Sequence, residues 1–185
     1  MSTLRFFALA LLWTLLSLPA SAGGADPIAL SQYQLQVPGG VTLAGKLDPE
    51  ALATLDAERT LIIDLRTPAE GTDAEAEAAA RLGLAYRNLP VAGASIDPAQ
   101  VDELAGLLAA NAGRDVILHC ASGNRAGMLW SAVQLHAGMP LDEVLQDVSA
   151  IVDKEGPLNA VRSYAEAQAA EHAPAAGGSA VDSDR

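Results

Sequence analysis

Two residues in the stretch HCASGNRAG, residues 119–127, carry the clearest potential for chemistry in this 185-residue chain. Cys120 is the single cysteine, so no disulfide can form within the chain, and Arg125 follows after four intervening residues. A thiolate is a nucleophile, and a guanidinium offers two parallel donors to the oxygens of an anion. The pair therefore predicts attack by Cys120 on an anionic group held by Arg125, through a covalent intermediate.

The neighbouring sequence predicts how these two side chains are positioned. RDVILHC (114–120) is a short β-branched run, Gly123 permits a positive φ, and a helix is expected from Arg125 to about Ala137. Loop N–H groups and the helix N-terminus would then converge on one point, which binds anions and favours negative charge on the sulfur. The predicted anion-binding loop consists of Ala121, Ser122, Gly123 and Asn124.

Further along the chain, strand and helix signals alternate. Asp48 and Asp97 each precede a proline, which is typical of an N-cap followed by a first helical residue. Short apolar runs at 60–66, 84–91 and 114–120 predict strands, with a helix at 72–83 stopped by Gly83. Two more helices are expected around 141–152 and 158–170. This order predicts an α/β domain with a central parallel sheet flanked by helices.

Three other residues have two interpretations each. His119 faces away from Cys120 on the strand, so it is either a core histidine bonded to backbone or a support for the loop. Asp97 is either an N-cap or the general acid of the reaction. Arg66 follows the first predicted strand and, together with Glu70, either lies near the site at the carboxyl edge of the sheet or forms a pair one turn apart on the surface.

The remaining histidines, His136 and His172, lie far from Cys120 in the sequence, and no Cys/His spacing indicates a metal. We therefore predict neither a metal nor a cofactor.

The beginning of the chain predicts export. A basic residue, Arg5, precedes an apolar run, and PASAG offers small residues for cleavage after Ala22. We divide the chain into a secretory signal peptide (1–22), a linker (23–32), one domain (33–172) and a disordered tail (173–185). The expected location is the periplasm or the exterior, with no stable membrane insertion after cleavage.

The charge of the chain excludes one class of partner. The formal net charge is −12, and loss of residues 1–22 removes one basic residue and leaves −13. Such a surface repels nucleic acid and anionic lipid. A small cationic pocket can still exist on an acidic surface, so the net charge does not argue against an anionic substrate.

Four stretches together resemble a known family: HCASGNRAG, GKLDPEALATL, LIIDLRTPAEG and NLPVAG. They look like the phosphatase-like domain of the beta-lactamase hydrolase-like proteins, close to the dual-specificity branch of the tyrosine phosphatase superfamily. The resemblance runs from about Tyr33 to Val152. It implies a tyrosine-phosphatase-like fold in which Cys120 forms a phosphocysteine, residues 121–124 and Arg125 hold the phosphoryl oxygens, and water completes hydrolysis. The implied partner is a small phosphorylated substrate or a phosphoprotein.

The sequence departs from cysteine phosphatases in three respects. Those enzymes usually place five residues between Cys and Arg, whereas this chain has four. They usually follow the Arg with Ser or Thr, where this chain has Ala126. They also carry an acid in the loop before the preceding helix, and LPVAGAS (89–95) offers none before Asp97. Since general acid catalysis contributes about 10²–10⁴-fold, alkyl phosphates would turn over slowly and aryl phosphates less so.

The four-residue spacing is similar to that of rhodanese-like sulfurtransferases, and LIIDLRTPAE also resembles their early strand. Sulfur transfer from thiosulfate requires no general acid. Against this alternative, Ala121 stands where those enzymes often have Arg. A persulfide on Cys120 is therefore the second hypothesis, and a non-catalytic anion-binding module is the third.

Overall fold

A computed structural model gives the architecture and describes residues 29–172. The elements follow in order: β1 Gln34–Val37, β2 Val41–Ala44, α1 Pro49–Leu52, β3 Thr60–Asp64, α2 Asp73–Arg81, β4 Ala85–Asn88, α3 Pro98–Ala110, β5 Asp115–His119, α4 Asn124–His136, α5 Leu141–Val148 and α6 Glu155–His172. A single 3-10 turn, Pro68–Glu70, follows β3.

The five strands form one sheet in the order β1-β2-β5-β3-β4. Strands β2, β5, β3 and β4 are parallel neighbours, and only β1 is antiparallel, to β2. The carboxyl ends of β2, β3 and β5 therefore meet at one edge of the sheet, where parallel α/β proteins bind ligands. The predicted α/β class with a mostly parallel central sheet is confirmed.

Helices cover both faces of this sheet. Alternate side chains of β5 divide between two apolar cores, with Val116 and Leu118 in the larger and Ile117 in the smaller. The larger core contains side chains of α3, α4, α5 and α6, and the smaller contains side chains of α1 and α2. Cys120 belongs to the larger core and is 1% exposed.

The hairpin of β1 and β2 is not among the elements predicted from the sequence. Its signal is Gly39-Gly40 between two short apolar runs, with φ values of 85° and 75° that glycine adopts without strain. The helix predicted over 141–152 ends earlier, at Val148, and α6 begins earlier than expected, at Glu155. The chain leaves α5 because Ile151 and Val152 turn inward, with exposures of 5% and 3%.

The predicted signal peptide, most of the predicted linker and the predicted tail lie outside the described residues. Within residues 29–172, no helix has the length and apolar character needed to cross a membrane.

Candidate active site

The Cys120 loop connects the end of β5 to the start of α4. The Cys120 N–H donates to the Ala44 carbonyl at 3.2 Å, which extends the sheet by one residue beyond β5. The chain then turns through Gly123, whose φ of 86° lies in the left-handed region. The Gly123 N–H donates to Sγ of Cys120 at 3.1 Å. The loop backbone thus directs a donor at the sulfur, as the sequence predicts.

Arg125 lies in the first turn of α4 and is held by two groups. Nη1 and Nη2 donate to the two carboxylate oxygens of Glu70 at 2.9 and 2.6 Å, and Nη1 also donates to the Val91 carbonyl at 2.8 Å. The hydrogen bond with Glu70 raises the pKa of Arg125, and the nearby Cys120 sulfur acts in the same direction. The guanidinium therefore remains charged beside the sulfur.

The same contact changes the chemistry of Glu70. The hydrogen bonds from Arg125 lower the pKa of Glu70 to about 2, and the Thr67 N–H, which donates to Glu70 at 2.9 Å, adds to this effect. Glu70 is therefore ionised at neutral pH. It cannot act as a general acid, and its role is to orient the guanidinium next to Cys120.

Asn124 connects the Cys120 loop by hydrogen bonds to the segment after α5, residues 149–154. Its Oδ1 accepts the backbone N–H groups of Asp153 and Lys154 at 3.1 Å each, and its Nδ2 donates to the Asp153 carboxylate at 2.8 Å. With its amide engaged in this way, Asn124 can contribute only its backbone N–H to an anion in the loop. Nδ2 of Asn124 also donates to the Ser122 hydroxyl oxygen at 3.4 Å.

Gly123 and Gly127 allow this segment to pack closely against the loop. A Cβ atom at Gly123 would lie 2.5 Å from Cγ1 of Ile151, and one at Gly127 would overlap Val152. Side chains at either position would push the segment away. Gly123 therefore has two functions, since it adopts a positive φ and also admits Ile151.

On the opposite face of β5, a buried charge network surrounds His119. Asp64 accepts from Arg66 at 2.7–3.1 Å and from the Tyr86 hydroxyl at 2.8 Å, and Arg66 also donates to Glu75 at 2.8 Å. Arg66 is 3% exposed, and Asp64 and His119 are fully buried. We call these five residues, Asp64, Arg66, Glu75, Tyr86 and His119, the buried charge network.

Burial and pairing oppose each other in this network. Burial raises the pKa of Asp64, but the hydrogen bonds from Arg66 and Tyr86 and the nearby His119 together outweigh it, and the pKa is lowered overall. Burial lowers the pKa of Arg66, but the hydrogen bond to Asp64 and the neighbouring Glu75 carboxylate together reverse this effect and raise it. Burial raises the pKa of Tyr86, and its donation to Asp64 raises it further. At neutral pH, Asp64 is therefore ionised, Arg66 is charged and Tyr86 keeps its proton.

These contacts correct two interpretations from the sequence. Within residues 29–172, His119 does not bond to backbone, because neither ring nitrogen has a hydrogen-bond partner there; Nε2 instead lies 2.7 Å from Oε1 of Glu75. Arg66 does not form a surface pair with Glu70, because it is buried against Asp64 and Glu75. Arg66 points inward because the carboxylates of Asp64 and Glu75 lie beneath the surface and bind it. Glu70 instead pairs with Arg125.

The network contains the one candidate metal-ligand group found within residues 29–172, namely Asp64, Glu75 and His119. Its donors do not suit a cation. Both oxygens of Asp64 are occupied by Arg66, and the guanidinium also contacts Glu75. Nε2 of His119 and Oε1 of Glu75 are too close, at 2.7 Å, for both to bind one ion at about 2.0–2.1 Å with open tetrahedral angles.

Asp97 begins α3, and its carboxylate accepts the Ala99 N–H at 2.9 Å. The N-cap interpretation is confirmed. No described contact joins this carboxylate to Cys120 or Arg125, so its role as a general acid stays a prediction.

Glu70 is the site residue that sequence reasoning did not assign to Arg125. The stretch Thr67 to Glu70 has the spacing of a capping box, which predicts a local role for the carboxylate. One signal for the second role is its position, because Glu70 follows a strand at the carboxyl edge of the sheet.

Comparisons with known proteins agree with this geometry. The family model for the phosphatase-like domain of beta-lactamase hydrolase-like proteins matches residues 37–137. A curated beta-lactamase hydrolase-like protein of Xylella fastidiosa (strain Temecula1) is 43% identical over 89 residues, which are 45% of this chain and 20% of that protein. The chain thus spans about a fifth of the length of the curated relatives it matches.

Solved structures share the fold at low sequence identity. A Shewanella putrefaciens CN-32 protein, provisionally named a phosphatase (DUF442), has a TM-score of 0.62 at 18% identity, covering 80% of this chain and 98% of that one. Kinase-associated phosphatase, solved with its catalytic-site cysteine replaced by serine, has a TM-score of 0.57 at 15% identity, covering 70% and 88%. These likenesses establish the tyrosine and dual-specificity phosphatase fold.

Proposed function

Because the chain belongs to the family of phosphatase-like domains of beta-lactamase hydrolase-like proteins, we propose that it is a cysteine-dependent phosphatase that hydrolyses phosphate monoesters. The observation that carries this proposal is the convergence of three groups. The Cys120 sulfur, the Gly123 N–H and the Arg125 guanidinium meet where β5 passes into α4. A nucleophile and donors for an oxyanion therefore occupy one point.

In the proposed first step, the Cys120 thiolate attacks phosphorus, the P–S bond forms and the ester P–O bond breaks. The electron pair of that bond leaves with the ester oxygen. Loop N–H groups and the free edge of the Arg125 guanidinium stabilise the charge on the phosphoryl oxygens, which is the largest contribution in reactions of this kind. In the second step, water attacks phosphorus, the P–S bond breaks and the thiolate is restored.

The leaving oxygen needs a proton or a stable anion. Glu70 is ionised and paired, so it cannot supply the proton. Asp97 is the proposed donor, on the sequence argument alone. We therefore propose that esters of acidic alcohols, such as aryl phosphates, are hydrolysed most readily.

A second candidate is sulfur transfer, and one feature of the loop favours it. Only three residues, Ala121 to Gly123, separate Cys120 from the first residue of α4. Such a short loop offers few amides to the three oxygens of a phosphoryl group. In sulfur transfer, the thiolate attacks the outer sulfur of thiosulfate, the S–S bond breaks, and sulfite leaves with the electron pair, so Cys120 becomes a persulfide without proton transfer.

Parallel assays with p-nitrophenyl phosphate, and with thiosulfate plus cyanide, separate these candidates. The phosphatase proposal expects nitrophenol release that Cys120→Ser abolishes and Arg125→Ala lowers by at least about 100-fold. Arg162→Ala is the matched control, because Arg162 is an exposed cation of α6. Thiocyanate formation without nitrophenol release would favour sulfur transfer, and inactivity in both assays would leave the anion-binding module.

We further propose export, on the sequence of residues 1–22. The test is expression of the full chain in a Gram-negative host, followed by fractionation and N-terminal sequencing. Mature protein that begins at Gly23 in the periplasm or medium is the expected result. Full-length protein retained in the cytoplasm would contradict export.

A further inference from the structure

A cavity of about 280 Å³ lies between α1 and α2, on the side of the sheet that carries the smaller core. Two of its lining residues connect it to residues of the active site. The backbone N–H of Lys46, which lines the cavity, donates to the Ala121 carbonyl at 3.1 Å. Gly71, another lining residue, directly follows Glu70, which holds Arg125. Cys120 itself does not line the cavity, so the cavity is linked to the active site through Lys46 and Gly71 and does not contain the nucleophile.

The walls of the cavity are apolar and its charged groups are mostly basic. The apolar walls are formed by Leu47, Pro49, Leu52, Ala74 and Ala78. The charged residues are Lys46, Arg66, Arg81 and Glu75. Three cations against one carboxylate is an unusual balance in a chain with a net charge of −12. Apolar walls with a few convergent polar groups are typical of sites for small organic ligands.

Two of these cations are available to a ligand. Arg66 and Glu75 are committed to each other at 2.8 Å. Arg81 has only a 3.8 Å contact with Glu77, and both side chains are more than two-thirds exposed. Lys46 makes no ion pair with any residue in 29–172, and its side chain is exposed. Lys46 and Arg81 therefore provide positive charge without a strong internal partner.

We propose that this cavity binds the organic part of the substrate, and that this part has an apolar body and a second negative group. The proposal rests on the proposed phosphatase function. The phosphoryl group would lie at Cys120 and Arg125, the apolar body against Leu52 and Ala78, and the second negative group near Lys46. This arrangement assigns the substrate class as phosphate esters of anionic, largely apolar alcohols.

Phenyl phosphate and 3-carboxyphenyl phosphate form a matched pair for the kinetic test, because their phenols are of similar acidity and differ in one negative charge. We expect kcat/KM to be about tenfold higher for 3-carboxyphenyl phosphate than for phenyl phosphate, because the carboxylate can accept one charge-assisted hydrogen bond. The ratio of the two kcat/KM values should fall to about one in the Lys46→Ala/Arg81→Ala double variant and stay near ten in Arg162→Ala. A ratio of one in the wild type, or a ratio unchanged in the double variant, would overturn the proposal.

A binding experiment keeps this proposal separate from the catalytic one. Amide NMR spectra of the Cys120→Ser protein are recorded during titration with naphthalene-1-carboxylate, which has no phosphate. Saturable shifts at residues 71–78, several-fold weaker binding by the Lys46→Ala/Arg81→Ala variant, and weaker binding of the neutral 1-naphthalenemethanol would support the cavity assignment. Absence of saturable shifts would overturn it.

A second variant tests the cavity in case the Lys46→Ala/Arg81→Ala double variant does not fold. Ala78→Leu adds bulk at a wall of the cavity and leaves both cations in place. It should weaken naphthalene-1-carboxylate binding and raise KM for phenyl phosphate, while a urea midpoint equal to that of the wild type shows that the variant is folded. Equal binding by this variant would overturn the proposal. If naphthalene-1-carboxylate binds as expected and no phosphate ester is hydrolysed, the phosphatase function fails and the cavity assignment stands.

Discussion

His119 and Cys120 are neighbours at the end of β5, yet they serve two regions with opposite character. On the His119 side, the buried charge network encloses its ions, and Arg66 is 3% exposed. On the Cys120 side, the Arg125 side chain is 14% exposed and its partner Glu70 is 33% exposed. Both regions contain an arginine that bridges to carboxylates at 2.6–2.8 Å. Burial, rather than distance, distinguishes them.

This difference indicates which arginine maintains the fold and which is free for chemistry. Removing one partner of a buried ion pair leaves an uncompensated charge in a region of low dielectric, which is costly. Near solvent, the same loss is partly compensated by water. We therefore expect changes in the buried charge network to reduce stability and changes in the Cys120 loop to reduce activity.

The largest expected effect is that of Cys120→Ser. Loss of the nucleophile should lower nitrophenol release from p-nitrophenyl phosphate by about 10⁴-fold or more, since the remaining groups cannot complete the reaction. The substitution is nearly isosteric, so the urea midpoint should change little. Retention of a tenth of the wild-type rate of nitrophenol release by Cys120→Ser would contradict this prediction.

The next effect is that of Arg66→Met on stability. Asp64 and Glu75 would be left buried without their cation, and the free energy of unfolding should fall by about 3–5 kcal/mol in urea titrations. Arg87→Met is the matched control, because Arg87 pairs with Glu103 at 2.8 Å but is 57% exposed. Its expected cost is at most about 1 kcal/mol. Equal losses in the two variants would refute the distinction by burial.

Arg125→Lys tests the other half of the comparison. Lysine keeps the charge but cannot donate two parallel hydrogen bonds, so kcat/KM for p-nitrophenyl phosphate should fall by about 100-fold. Stability should change by about 1 kcal/mol or less, because the pair with Glu70 is near solvent. A loss of stability as large as that of Arg66→Met, with activity retained, would reverse our assignment of the two arginines.

The smallest expected effect concerns pH. The pKa of Glu70 is about 2 in the folded protein, against an ordinary value of 4.5. Its contribution to stability is thus complete above about pH 4.5 and is lost as the pH falls through about 2. The difference in unfolding free energy between wild type and Glu70→Gln should therefore shrink over this window. NMR titration of the Glu70 carboxyl group measures its pKa directly. In the Arg125→Met variant, the pKa of Glu70 should rise toward 4.5.

Local patterns were sufficient to predict the elements that carry the nucleophile. The two Asp-Pro caps, the strand before Cys120 and the positive φ of Gly123 all depend on neighbouring residues. The fold class follows from their order. These features are accessible from sequence because their causes lie within a few positions of each other.

The pairings within the site depend on contacts between distant residues, and the sequence does not predict which groups pair. The position of Glu70 after a strand predicts that it can lie near the site, but Arg125, 55 residues later, could not be identified as its partner. Glu75 occurs in DAEAEAAAR, which resembles an exposed acidic helix, yet its carboxylate turns inward to Arg66. Only the register of β3 beside β5 brings Asp64 opposite His119.

The most direct test of the central claim is the state of Cys120 during turnover. The protein is mixed rapidly with p-nitrophenyl phosphate, quenched in acid, and the peptide containing Cys120 is analysed by mass spectrometry. We predict a mass increase of one phosphoryl group on Cys120 and a burst of about one nitrophenol per protein, because Ala126 offers no hydroxyl to assist the departing thiolate. Steady nitrophenol release with neither a burst nor a modified Cys120 would contradict the account.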